Sequence, residues 1–107
     1  HKKQIFIIDF DDIDIGEIEV DIGDFLADFI LNESNIQECI KSYSIYLKKC
    51  FKHQFSFEKT LDYLILILIY ETHFSSDLKL NRKRKNIIDE LNKNYNSYLE
   101  IMLNTNN

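Results

Sequence analysis

A chain of 107 residues has room for one domain or less, and 45% hydrophobic with 13% aromatic content supplies a core and argues against wholesale disorder. Two glycines and no proline argue against a turn-rich all-β design and suit helices. The formal net charge of −5 hides an asymmetry: nine of the 18 acids fall between Asp9 and Asp28, where there is no Lys or Arg, so nucleic acid is not the expected partner of this face.

The chain opens with Ile5-Phe6-Ile7-Ile8, a short β-branched apolar run that predicts a buried strand over residues 4–10. It leads into Asp9-Phe10-Asp11-Asp12, so carboxylates are delivered where the backbone leaves a sheet. One or two carboxylates in such a place, together with substrate phosphates, hold a hard cation such as Mg²⁺. A lone strand is not stable, so its partners are expected from elsewhere. A loop with Gly16 follows, and a first helix is expected over residues 20–31, with Ile22, Phe25, Leu26, Phe29 and Ile30 as its apolar residues. Gly23 inside that helix costs about 0.5–1 kcal/mol relative to Ala and so marks a close backbone approach.

After a break at residues 32–35, Ser34-x-x-Gln37 has the form of a capping box. The helix it opens runs to about Lys52, with Ile36, Cys39, Ile40, Tyr43, Leu47, Cys50 and Phe51 on one face. The two cysteines are about 16 Å apart along that helix, too far for a disulfide. They read as buried reduced thiols of a reducing, cytoplasmic compartment. Ser56 is the expected N-cap of a third helix over residues 57–74, apolar all round at Leu64-Ile65-Leu66-Ile67-Leu68-Ile69 and therefore expected to be fully buried. A loop at Ser75-Ser76-Asp77 leads to a last helix over residues 82–103 with the stripe Ile88, Leu91, Tyr95, Tyr98, Leu99 and Met102. Arg82-Lys83-Arg84-Lys85 reads as the solvated start of that helix. The longest apolar run, residues 63–70, is far shorter than the roughly 20 residues a bilayer needs, and no secretory signal is visible.

Two families place carboxylates as residues 4–28 do. The metal segment of aminoglycoside and choline kinase-type phosphotransferases, which have a protein-kinase-like fold, reads apolar strand, I-D-F-[GDE], a loop with glycine, then D-[IL]-[AG] at a helix start. This chain resembles it in Ile8-Asp9-Phe10-Asp11, in Gly16 seven residues after Asp9, and in Asp21-Ile22-Gly23 twelve after it. The haloacid-dehalogenase-like phosphatases end a strand in D-x-D-x-T. Asp9 and Asp11 fit that pattern, as nucleophile and acid/base, but Ile13 stands at the threonine position and has no hydroxyl. The kinase resemblance matches more positions over a longer span and is preferred. A helical interaction domain with an acidic surface is the remaining alternative.

The resemblance implies a mainly α fold with one N-terminal strand, like the C-terminal part of the helical lobe of a protein-kinase-like α+β protein. Residues 4–17 would be strand and metal loop, and 18–107 a helical subdomain. It implies Mg²⁺ and ATP or GTP as cofactors, with Asp9 as the metal ligand. Asp11 would support it, and Asp21, buried in the family at this helix start, would accept hydrogen bonds from backbone amides of the catalytic loop. Asp24 and Asp28, four apart on one helix face, would border the pocket of a small hydroxyl-bearing acceptor, cationic ones such as aminoglycosides or amino alcohols included. The family's catalytic loop and nucleotide-binding lobe precede this segment, so no catalytic base is expected among these residues. The chain, which starts at His1, is expected to be part of a longer kinase, inactive and not autonomous alone. No metal-ligand spacing links His1, His53 or His73 to the cysteines.

Overall fold

The computed structural model describes residues 18–33, 35–51 and 55–104. They form five α-helices: α1 (Ile18–Asn32), α2 (Ile36–Phe51), α3 (Phe57–Phe74), α4 (Leu78–Lys93) and α5 (Tyr95–Asn104). No strand occurs among the described residues, and the strand expected over 4–10, with Asp9 and Asp11, lies outside them.

The helices assemble around α3, which packs on α1, α4 and α5, while α2 packs on α1 and α5. Its run of Leu and Ile forms a helix because the start is fixed locally. Ser56 has extended backbone, and its hydroxyl accepts from the Lys59 amide at 3.2 Å, supplying a partner to a first-turn N–H that the helix leaves unsatisfied. Leu61, Leu64, Ile67 and Leu68 are then fully buried, together with Leu26 of α1, Ile40 and Leu47 of α2, Leu91 of α4 and Met102 of α5. Burial of side chains this size contributes about 1.5–3 kcal/mol each. The helix is nevertheless not buried all round. Leu66 is 42% and Ile69 47% exposed, because the neighbouring helices leave one strip of α3 uncovered.

Gly23 is where α1 and α3 come closest. A Cβ there would lie 3.1 Å from the Leu64 amide nitrogen and 3.2 Å from the Tyr63 Cβ, so the absence of a side chain is what allows this approach.

Three boundaries differ from expectation, each for a local reason. α2 is capped by Asn35, whose Oδ1 accepts from the Glu38 amide at 2.9 Å, one residue later than the Ser34-x-x-Gln37 pattern suggests. α4 begins at Leu78 instead of Arg82, because Asp77 Oδ1 accepts from the Leu80 amide at 3.0 Å. The expected helix over 82–103 is two helices broken at Asn94. The Asn94 side chain turns back to the Glu90 carbonyl at 3.4 Å and its carboxylate at 3.1 Å, the local competition that makes Asn a helix breaker. No helix among the described residues is long and apolar enough to cross a membrane.

Candidate functional site on the acidic face of α1

α1 carries Glu19, Asp21, Asp24 and Asp28 and no basic residue. Asp21 and Asp28 are exposed and Asp24 is half-buried. Asp24 and Asp28 are one turn apart and share a side of the helix. Asp9 and Asp11 lie outside the described residues. The structure therefore places Asp21, Asp24 and Asp28 on one short helix whose far face is locked to α3 through Gly23.

Glu19 differs from its neighbours. It is buried, and its Oε2 accepts from the Ser56 amide at 2.7 Å. A first-turn acid of α1 thus binds the amide that opens α3, and the two helix starts are tied together by a charge-assisted hydrogen bond. In the sequence Glu19 is only one of the nine acids between Asp9 and Asp28, with no separate role. The signal was in the period: Glu19, Ile22, Leu26 and Ile30 follow the buried stripe of α1.

Alongside the acids runs an aromatic cluster. Phe25 stands 6.4 Å from Phe29 and 5.2 Å from Tyr43 by ring centroid, and Tyr43 stands 5.7 Å from Tyr46. Phe25 is 57% and Tyr46 54% exposed, so Phe25, expected among the apolar core residues of α1, is instead a surface ring. Acids and exposed rings side by side can hold an organic cation, through charge and through the negative faces of the rings.

Elsewhere the basic run lies inside α4 and not at its start, and Arg82, Lys83 and Lys85 are exposed as expected while Arg84 is not. Arg84 is buried, with Nη1 donating to Asn81 Oδ1 at 2.8 Å and Nε 3.7 Å from Glu71 Oε1. Lys83 donates to the Leu31 carbonyl at the end of α1. Both cysteines are free, but Cys50 is exposed, whereas Cys39 is buried and its thiol is pushed up from its ordinary pKa by burial and by Glu33 and Glu38. A groove of about 710 Å³ lies between Lys48, Phe57, Leu99 and Leu103, and one of about 410 Å³ between Ile30, Ile36, Lys83 and Ile87. Neither is lined by Asp21, Asp24 or Asp28. Among the described residues no group of three or more His, Cys, Asp or Glu is placed to hold a metal ion.

Comparison with protein-family models, with curated proteins and with solved structures finds no match for this chain.

Proposed function

We propose that these residues are the metal-loop and helical part of a small-molecule phosphotransferase of the aminoglycoside and choline kinase type, with a protein-kinase-like fold. The observation that carries the reading is Gly23. The family pattern D-[IL]-[AG] demands a small residue after Asp21-Ile22, and in this chain that position faces the Leu64 amide nitrogen at a Cβ distance of 3.1 Å. The motif thus has a physical basis here, because the helix carrying Asp21 docks by backbone approach. On this reading Asp9 is the Mg²⁺ ligand, with Asp11 in support. Bound there, the ion would neutralise charge on the transferring phosphoryl group.

Asp21, buried in the family, is exposed here in the first turn of a helix pinned by Glu19. In that place it is available to accept amides of a catalytic loop, which, like the nucleotide-binding residues, is supplied from outside these 107 residues. These residues alone are therefore inactive. Asp24 and Asp28 beside the Phe25 ring favour a cationic hydroxyl acceptor, an aminoglycoside or an amino alcohol. The test is a screen of the complete protein for ATP and GTP consumption against aminoglycosides, amino alcohols, neutral sugars and sugar phosphates at two salt concentrations. The expected result is a preference for cationic acceptors that weakens at high salt. Activity confined to neutral or anionic acceptors would make the acids surface groups only. A non-catalytic interaction module is the second reading, favoured by the exposure of Phe25, Tyr46, Phe74 and Leu78, and it requires no nucleotide consumption under any condition of the screen.

A further inference from the structure

The strip of α3 left outside the bundle has an ordered composition. Asp62, Leu66, Ile69 and His73 are all exposed. At about 100° per residue they fall within roughly 60° of arc, and they span about 16 Å of helix axis. Phe74, 64% exposed with its ring 4.7 Å from that of His73, flanks the strip about 100° further round the helix. The order along the helix is acid, apolar, apolar, base.

That order is complementary to its own reverse. A two-fold axis between Leu66 and Ile69 sets Leu66 against Ile69 of a second copy and Asp62 against His73 at both ends. A parallel arrangement would instead stack Asp62 on Asp62 and His73 on His73. Asp62 is also held in place, because its Oδ1 accepts from the Tyr95 hydroxyl at 2.5 Å, and a carboxylate accepts through both oxygens. We propose that the partner of this face is a second copy of the chain, docked as an antiparallel α3–α3 pair with isologous two-fold symmetry. The apolar pair supplies the attraction, and the Asp62 carboxylate accepting from the His73 imidazole N–H at both ends sets direction and register. The inference is independent of the phosphotransferase reading. With about five side chains from each copy, the contact belongs among small interfaces, below about 1,200 Å² in total, so the dimer is weak and concentration-dependent.

The test is sedimentation equilibrium of the complete protein from about 10 μM to about 1 mM. A monomer–dimer equilibrium is expected. Leu66→Lys, at an exposed position that leaves the core intact by circular dichroism, weakens it at least tenfold. Asp62→Lys and His73→Asp each weaken it several-fold, and the double variant Asp62→Lys/His73→Asp returns it to within about twofold of native. Recovery of this kind is not produced by loss of the Tyr95 hydrogen bond, which the double variant also lacks. A monomer throughout the range, as when another protein or another part of the chain covers the strip, overturns the proposal. So do a dimer indifferent to Leu66→Lys, growth beyond two copies, and a double variant no tighter than the singles.

Discussion

α1 and the α4–α5 pair both pack on α3, and they do so by different physics. α1 is docked mainly by apolar burial: Ile22, Leu26, Ala27 and Ile30 are buried, and Gly23 brings backbone to backbone. The Ser56 amide adds a polar tie where the two helices start, by donating to Glu19. The α4–α5 side buries Ile87, Leu91 and Met102 and adds two polar ties to α3, Arg84 with Glu71 and Tyr95 with Asp62, while Tyr98 and Asn94 both bond Glu90 within the pair. The helix that carries the acidic face is therefore held by close packing, which tolerates little movement. The other side adds to its apolar burial hydrogen bonds whose net worth is smaller and whose strength depends on protonation.

The contrast can be broken most forcefully at Leu26. Leu26→Ala should cost about 2–5 kcal/mol through lost burial and the cavity left behind, read as a lower urea midpoint with an unchanged slope. On the polar side, Arg84→Met should cost about 1–3 kcal/mol, because Glu71 stays largely buried beside an apolar group. Adding Glu71→Leu should recover most of that loss. Leu26 has no compensating partner of this kind. Gly23→Ala comes next. The propensity gain of roughly 0.5–1 kcal/mol is outweighed by overpacking, which costs about 1–3 kcal/mol, because the new Cβ meets the Leu64 amide and the Tyr63 Cβ instead of a flexible side-chain end. A net loss of about 1 kcal/mol is expected.

The smallest effect at neutral pH is the one that most sharpens the contrast. The Tyr98 phenol is pushed up to about 12 by burial and by its hydrogen bond to the Glu90 carboxylate, and Tyr95 is raised as well, by burial and by Asp62. The folded state thus holds these protons more tightly than the unfolded chain, whose tyrosines titrate near 10. Their contribution is complete below about pH 10 and is lost as pH rises through about 12. Tyr98→Phe should flatten the alkaline fall in urea midpoint, while Gly23→Ala should lower the midpoint equally at all pH values.

The sequence carried more of the bundle than of its joints. α3 was legible to the residue, since Ser56 is a strong cap and the flanking charges bound the apolar run. Gly23 announced a close approach because nothing else excuses a glycine inside a helix. What escaped depended on partners distant in sequence. Glu19 is buried only because the Ser56 amide, 37 residues away, waits for it. Arg84 sits in a run of four bases, and only the fold shows that it alone among them turns inward, toward Glu71. The break at Asn94 was missed because the apolar period continues through it from Leu91 to Tyr98, and only the side chain of Asn94 reports the interruption. Of the candidate site, Asp21, Asp24 and Asp28 were placed on a helix by their spacing. The division between exposed Asp21 and Asp28 and half-buried Asp24 was set by how α1 rolls on α3, which the motif does not encode.

The most direct measurement of the proposed activity is the transfer of labelled phosphate from Mg-ATP by the complete protein, native and Asp9→Asn. The substitution is isosteric. The expected result is unchanged helical circular dichroism with transfer reduced at least about 10²–10³-fold, the scale on which loss of a charge-stabilising group at a transition state is felt. Native turnover in Asp9→Asn would contradict the assignment of the segment to a phosphotransferase.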